Sequence, residues 1–269
     1  WPISDCTAEG LKSAIALQPH VEEPIGAERL HDAADLILGW QNGDGGWPTY
    51  ERARTPSWME ALNPSFVFAD IMVDHSYVEC TSACVQALVS YRERYADTVR
   101  AARIEQAIER ARAFLLKRQR ADGSWIGSWG ICFTYGTWFA ISGLRAAGLA
   151  ADSAPIRRAA AFLIAHQLPD GGWGETIESC RRGAYASCPD GQVVMTSWAV
   201  LSLLQSDEAD SAAVQSGVRF LQDRQKGDGS WPDETIAGVF NRTCAITYDN
   251  YRKIFGLWAL AAAEARLRA

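Results

Sequence analysis

The stretch Phe162–Trp173, FLIAHQLPDGGW, contains the pattern on which the chain is built. An apolar run ends at Gln167, five residues after Phe162, and Trp173 follows six residues after the glutamine. The run is typical of a helix end, and the Asp-Gly pair between Gln and Trp predicts a turn that tolerates positive φ. We expect the glutamine amide to lie over the indole ring and to cap the next element.

The pattern occurs four times. Phe114–Trp125 and Phe220–Trp231 keep the full spacing, and Trp40–Trp47 keeps the spacing from Gln to Trp. Between the copies, apolar residues recur every three or four positions, which predicts helices, and no segment alternates convincingly as a strand. Tandem helical hairpins predict an all-α fold that either stacks as an open solenoid or closes into a ring, and the turn pattern favours closure. The predicted helices span residues 7–17, 28–40, 79–93, 101–118, 134–148, 155–167, 193–205, 211–224 and about 250–267.

The composition is that of a globular protein with a large core, folded as one domain or at most two. Of its 269 residues, 48% are hydrophobic, and 26 basic against 32 acidic residues give a net charge of −6 without a basic block. This balance argues against nucleic acid as a partner. No apolar run approaches the roughly 20 residues that span a bilayer, and no secretory leader is recognisable. Seven cysteines without a CxxC pair favour free thiols in a reducing compartment.

Asp5 lies in the stretch Ser4–Glu9, just before the first predicted helix. On pattern alone, Ser4 or Asp5 is an N-cap whose side-chain oxygen accepts a helix N–H, and the acidic end of the stretch suits a first helical turn. The alternative is that Asp5 is a Brønsted acid in a dry aromatic pocket. That interpretation depends on three further stretches, which are Asp74–Ala83, Gly127–Trp138 and Ala237–Arg252.

Together these stretches resemble the C-terminal catalytic half of the oxidosqualene cyclases, the lanosterol and cycloartenol synthase family, over essentially the whole chain. Residues 5–9, DCTAE, look like the initiating motif of that family, and the Gln-Trp units look like its repeats, which it shares with squalene–hopene cyclases. The latter start from an Asp-x-Asp-Asp motif, which is not found near Asp5. The resemblance implies an (α/α)6 double-ring helical barrel, with residues 1–269 as one catalytic domain that is incomplete at its N-terminal end.

The resemblance implies that Asp5 donates a proton to the epoxide of (3S)-2,3-oxidosqualene, which then cyclises as a cation to a sterol precursor. Such an acid must be protonated near neutral pH and yet strong when the epoxide arrives. Burial keeps the proton on, and hydrogen bonds to the carboxylate stabilise the conjugate base. The implied donors are the thiols of Cys6 and Cys80. A small buried hydrophobe is the alternative interpretation for these two, and it is the favoured one for Cys84, Cys132, Cys180, Cys188 and Cys244.

The migrating cation needs aromatic faces, which attract it by roughly 0.5–2 kcal/mol each without forming a bond. The resemblance implies Trp129 and Phe240 for this role, although core packing is the alternative for any single aromatic residue. The tryptophans of the four repeats are expected to be structural. The implied lining of the pocket is Tyr50, Phe68, Tyr248 and Tyr251.

Two implied roles concern the end of the reaction. A tyrosine that matches Tyr50 removes the final proton beside a histidine from the N-terminal half of the family, and that histidine has no counterpart here. Ile3 favours a cycloartenol-type product, because cycloartenol synthases typically have Ile two residues before this Asp and lanosterol synthases typically have Val. His75 departs from the family pattern, which generally has Tyr at that position.

The resemblance implies no metal or organic cofactor. The implied partners are 2,3-oxidosqualene, the N-terminal half of the same enzyme and a membrane surface, on whose cytoplasmic side family members are peripheral or monotopic. The 269 residues alone are expected to be poorly active, because the cavity would be open where the other half belongs.

Two other classes of protein remain open. One is a zinc-dependent protein prenyltransferase β-subunit, although no convincing Asp/Cys/His zinc set is found, and the other is a non-catalytic helical-repeat scaffold.

Overall fold

The structure is a computed structural model that describes residues 2–53, 55–65 and 71–268. Within these ranges the chain forms ten α-helices, four short β-strands and two 3₁₀ helices, at Gln18–His20 and Ser57–Leu62. The α-helices are α1 (Ser4–Leu17), α2 (Ala27–Trp40), α3 (Val78–Tyr95), α4 (Thr98–Arg118), α5 (Cys132–Ala146), α6 (Ala154–Ala165), α7 (Glu178–Arg182), α8 (Val193–Leu203), α9 (Ala212–Arg224) and α10 (Asp249–Leu267). The strands are β1 (Trp173–Glu175), β2 (Ser187–Gln192), β3 (Gly238–Phe240) and β4 (Cys244–Ile246).

All nine predicted helices are confirmed, with ends that differ from the prediction by at most three residues. Helix α7 and the four strands were not predicted. They pair as β1 with β2 and β3 with β4, both antiparallel. Segments of three to six residues are too short to show a helical or alternating period, so their structure depends on the tertiary contacts that hold them.

The chain divides into two compact units. The first comprises the described residues within 1–64, 70–118 and 142–149, and the second comprises those within 65–69, 119–141 and 150–269. Helices α1 to α4 belong to the first unit, whereas α6 to α10 and the four strands belong to the second. Each unit has its own buried core, which includes Trp47, Leu88 and Tyr91 in the first, and Trp125, Trp173 and Trp198 in the second.

The repeat that contains Trp173 shows the contacts of one copy in detail. The indole Nε1 donates to the Leu163 carbonyl at 2.7 Å, so the buried ring closes the end of α6. The backbone N–H of Trp173 donates to Thr196 Oγ1 on α8 at 2.9 Å. Gly171 has φ +87°, and a Cβ there would lie 2.9 Å from the Ser216 carbonyl oxygen of α9. The predicted turn with positive φ is therefore confirmed, and it also brings the turn close to the next helix.

The repeat glutamine differs from its expected role. Gln167 Nε2 donates to the Gly171 carbonyl at 2.8 Å and to the Ala213 carbonyl in the first turn of α9 at 2.9 Å. It therefore reaches the next helix as expected, but it donates to carbonyls instead of capping free N–H groups. Gln41 makes the same pair of bonds, to Gly45 and to Ala107 of α4.

The glutamines of the first and last repeats along the chain test how much these hydrogen bonds stabilise the fold. Gln41 is 7% exposed and makes two bonds, at 2.9 and 2.8 Å, whereas Gln225 is exposed and makes one, to Gly229 at 3.0 Å. We expect Gln41→Leu to lower the free energy of unfolding by about 1–3 kcal/mol, because two buried bonds are lost, and Gln225→Leu by less than about 1 kcal/mol. Urea denaturation of both variants measures this, and equal losses would contradict the ranking.

Candidate active site

Helix α1 begins at Ser4, and its first turn carries Asp5 and Cys6. The residue at the N-cap position is Ile3, in an extended conformation and without a capping side chain. The Ser4 hydroxyl instead donates to the Pro48 carbonyl, and its N–H donates to the Thr49 carbonyl at 2.9 Å. Ser4 and Asp5 therefore do not occupy the predicted N-cap position, although Asp5 Oδ1 does accept a first-turn N–H, that of Cys6. Through its two hydrogen bonds, Ser4 holds the start of α1 against the loop that follows the first repeat.

Asp5 is half-buried, and its Oδ1 accepts the Cys6 N–H at 2.8 Å. Burial raises the pKa of the Asp5 carboxyl above its usual value of 3.8, while the N–H and the thiol of Cys6 oppose the rise by stabilising the carboxylate. Cys6 is exposed at the surface of the first unit. Its thiol is still partly desolvated, and this desolvation and the nearby Asp5 carboxylate raise the thiol pKa. A carboxyl group in this setting holds its proton to a higher pH and still has donors ready for its conjugate base.

Two cysteines of α3 lie behind this acid. Cys80 and Cys84 are fully buried, with Cys80 Sγ 3.6 Å from Thr49 Oγ1 and Cys84 Sγ 3.7 Å from the Ser4 carbonyl oxygen. Burial raises the pKa of both thiols well above the usual value, and the Asp5 carboxylate raises it further. The sequence favours Cys84 as a small buried hydrophobe, and its burial agrees with that. Its spacing of four from Cys80 puts both thiols on one face of the helix.

Tyr50 reaches the site on the loop after the first repeat. Its ring is 41% exposed, and its phenol pKa is raised first by burial and then by the nearby carboxylates of Asp74 and Asp5. The backbone of this loop is held by Asp74, whose side chain accepts the N–H of Thr49 at 3.0 Å and that of Glu51 at 2.9 Å, together with that of Tyr50. Asp74 and Thr49 were not predicted as site residues.

In the second unit, Trp129 and Phe240 lie side by side. Their ring centroids are 4.9 Å apart, with an interplanar angle of 70°. The Asn241 N–H donates to the Ser128 carbonyl at 2.8 Å, and the Val239 N–H donates to the Trp129 carbonyl at 3.3 Å. These bonds tie β3 to the loop before α5. Both rings are half-buried, so each keeps some exposed surface. The fold thus joins two predicted residues that are far apart in sequence.

Tyr248 and Tyr251 form a second aromatic pair in the same unit. The rings stack at 4.5 Å with an interplanar angle of 18°, and Tyr251 meets the edge of Trp198 at 6.0 Å. A Cβ at Gly238 would lie 2.5 Å from the Tyr248 ring, so this glycine lets the ring pack directly on β3. The strand that carries Phe240 therefore also supports Tyr248. The remaining predicted lining residue, Phe68, lies outside the described residues.

Glu175 is a fully buried carboxylate that sequence reasoning missed. It accepts the N–H of Phe133 at 3.0 Å and the N–H and hydroxyl of Thr134 at 2.9 Å each, at the start of α5. Burial raises the carboxyl pKa, and these donors oppose the rise. A carboxylate at a helix N-terminus satisfies free N–H groups and interacts favourably with the helix dipole. Glu175 thus fixes the start of α5, three residues after Trp129.

Within residues 2–53, 55–65 and 71–268, no helix has both the length and the apolar composition needed to cross a bilayer. All seven cysteines are free thiols.

The fold is that of the type II terpene cyclases. The structure of the type II terpene cyclase MstE from Scytonema matches 99% of this chain and 74% of its own, with a TM-score of 0.64 and 18% identity. The ent-copalyl diphosphate synthase from Streptomyces platensis matches 97% of this chain and 50% of its own, with a TM-score of 0.60 and 17% identity. At these identities the likeness concerns the fold, and it confirms the all-α class that the repeats predict.

Residues 9–265 match the squalene-hopene cyclase C-terminal domain, and the chain belongs to that family. A cycloartenol synthase from Dictyostelium discoideum is 52% identical over 263 residues, which are 97% of this chain and 37% of the relative. A lanosterol synthase from Homo sapiens is 47% identical over 267 residues, covering 97% of this chain and 36% of the relative. The chain thus spans a little over a third of these relatives, and the resemblance to sterol-forming cyclases is confirmed.

The raised pKa of Asp5 makes a prediction about stability. Because the folded carboxyl has a pKa above its usual 3.8, the folded state holds the proton to a higher pH than the unfolded state does. Relative to Asp5→Asn, the wild-type chain should be most stable below this usual value and should lose stability as pH rises through the folded pKa. Urea denaturation of both proteins between acidic and neutral pH measures the difference. If the free energy of unfolding of the wild type relative to Asp5→Asn stayed constant or rose with pH, burial would not destabilise the Asp5 carboxylate.

Proposed function

We propose that the chain is the C-terminal catalytic domain of an oxidosqualene cyclase, with Asp5 as the acid that starts the reaction. The observation that carries this proposal is a half-buried carboxyl of raised pKa, bonded to the Cys6 N–H, at the helix start where the family resemblance puts the initiating acid. Relatives named as cycloartenol and lanosterol synthases match 97% of the chain, which supports the same reaction class.

In the first step the Asp5 hydroxyl donates its proton to the epoxide oxygen of (3S)-2,3-oxidosqualene. The carbon–oxygen bond then breaks, the oxygen becomes a hydroxyl, and a cation remains on the carbon. The negative charge left on Asp5 is stabilised by the N–H and the thiol of Cys6. Cys80, whose thiol is kept neutral by burial, places no competing negative charge beside the acid.

The cation that passes along the folding polyene is stabilised by the rings of Trp129 and Phe240. The two rings meet at an interplanar angle of 70°, and both side chains are half-buried, so each keeps some exposed surface. Tyr248 and Tyr251 add a stacked pair on the same strand support. Aromatic faces suit this task because they attract a cation without capturing it as a nucleophile would.

Tyr50 takes part in the final deprotonation, and Ile3 shapes the cavity in which the last cation rests. Tyr50 is close enough to Asp5 for the carboxylate to raise its phenol pKa, so the first and last proton transfers occur in one neighbourhood. Ile3 is half-buried directly before the turn that carries Asp5. An isoleucine there, together with the 52% identity to a cycloartenol synthase, favours a cycloartenol-type product.

The substrate, the N-terminal half of the enzyme and a membrane surface are the partners that this proposal requires. Since 2,3-oxidosqualene is apolar, the complete enzyme would draw it from a bilayer as a peripheral or monotopic protein on the cytoplasmic side.

Replacing the acid tests the reaction directly. In the protein that carries this chain, we expect Asp5→Asn to lower turnover of 2,3-oxidosqualene by about 100- to 10,000-fold, because the amide cannot donate an acidic proton. Asp35→Asn is the matched control, since Asp35 forms surface ion pairs with Arg100 and Arg103 on the same unit. Products are measured by gas chromatography with mass spectrometry. Wild-type turnover in Asp5→Asn would refute the proposal.

Ile3 provides a separate test of product choice. We expect Ile3→Val to raise the share of lanosterol-type product relative to cycloartenol-type product, because the smaller side chain restrains the late cation less. Total turnover should stay within about fivefold, since one methylene is worth only about 1 kcal/mol. The ratio of the two sterols, read from the same chromatograms, decides the matter. An unchanged ratio would mean that Ile3 does not select the product.

A further inference from the structure

Thr49 contacts three parts of the proposed acid site through its N–H, its carbonyl and its hydroxyl. Its N–H donates to Asp74 Oδ1 at 3.0 Å, and its carbonyl accepts the Ser4 N–H at 2.9 Å. Its hydroxyl lies 3.6 Å from Cys80 Sγ. Thr49 itself is 3% exposed, so these bonds are shielded from water. A shift of this one residue would therefore move the residue before Asp5 and the contact of Cys80 together.

Asp74 determines where Thr49 lies. Its two carboxylate oxygens accept three successive backbone N–H groups, those of Thr49, Tyr50 and Glu51. Bonds from N–H groups to a charged acceptor are about twice as strong as bonds between neutral groups. An asparagine has one carbonyl oxygen and would turn an NH2 group toward some of these donors. The arrangement therefore needs a carboxylate at position 74.

The far end of the same loop is anchored independently. The Ala53 N–H donates to Asn42 Oδ1 at 2.9 Å, and Asn42 Nδ2 donates to Ser76 Oγ at 3.0 Å. Ser76 follows Asp74 by two residues, and its hydroxyl donates to Asp44 of the first repeat at 2.7 Å. Hence the segment that carries Asp74 is itself fixed to the repeat turn. The loop that contains Thr49 and Tyr50 is therefore held by hydrogen bonds to Asp74 and, at Ala53, to Asn42.

We propose that Asp74 and Thr49 are positioning residues for the acid site. Together they hold Asp5, Cys80 and Tyr50 in fixed positions relative to one another. The inference rests on the proposed function and adds two residues to it. Neither residue needs to touch the substrate. Asp74 acts through the backbone of Thr49 and Tyr50, and Thr49 acts through Ser4 and Cys80.

The test compares Asp74→Asn with Asp170→Asn in the protein that carries this chain. Asp170 is a matched control, because its carboxylate also accepts backbone N–H groups, those of Gly172 and Gly191 at 2.9 Å each, in a repeat turn of the second unit. Per folded molecule, we expect Asp74→Asn to lower kcat for oxidosqualene cyclisation by about 10- to 100-fold with KM within about twofold, since misplaced reacting groups reduce the rate more than binding. Asp170→Asn should change both by less than about twofold.

Thr49 variants keep the proposal testable if Asp74→Asn does not fold. Thr49→Val preserves shape and the backbone bonds but removes the hydroxyl near Cys80, and Thr49→Ser restores the hydroxyl. We expect Thr49→Val to lower kcat and Thr49→Ser to recover most of it, whereas a purely structural role would lower only the melting temperature. Wild-type kcat in Thr49→Val, or in a folded Asp74→Asn, would overturn the proposal. Full turnover by Asp5→Asn would instead refute the proposed function, so the two failures are distinguishable.

Discussion

The hydrogen bond from the Trp47 N–H to Thr81 Oγ1, 2.9 Å long, fixes where the first repeat meets helix α3, and the acid site is built on that junction. The Tyr77 N–H donates to the Trp47 carbonyl at 2.9 Å and completes the contact. The next two residues, Pro48 and Thr49, then contact the start of α1 through Ser4, and Thr49 also contacts the buried thiol of Cys80. The repeat therefore stabilises the fold and also positions residues of the proposed acid site.

The same hydrogen bond, from a repeat tryptophan N–H to a threonine hydroxyl, recurs in the second unit. The N–H groups of Trp125 and Trp173 donate to Thr137 of α5 and Thr196 of α8, at 3.1 and 2.9 Å. The segment after each repeat tryptophan differs from copy to copy. The segments after Trp47, Trp125 and Trp173 carry Thr49 with Tyr50, Trp129, and Glu175, respectively. Keeping this hydrogen bond while varying the next few residues lets one architecture position the proposed acid site in one unit and the proposed cation-stabilising ring of Trp129 in the other.

Electrostatic balance is the second requirement of the acid site. Burial alone would keep Asp5 protonated but make its anion costly, whereas donors alone would make it a permanent carboxylate. The site combines both, with burial as the larger influence on the Asp5 pKa and the Cys6 groups opposing it. Neutral thiols suit this balance, since they border the acid without adding a charge.

The sequence by itself determined the helices and the repeat turns, and it supplied most residues of the proposed site. Apolar periodicity and the Gln-to-Trp spacing are local signals, so all nine predicted helices and the positive φ at Gly171 follow from them. The resemblance supplied Asp5, Cys6, Cys80, Trp129 and Phe240. Only the tertiary structure decided that Asp74 clamps Thr49, that Glu175 starts α5 and that Trp129 meets Phe240. These contacts join residues 25 to 111 positions apart, and no local period records which distant side chain satisfies a given backbone group.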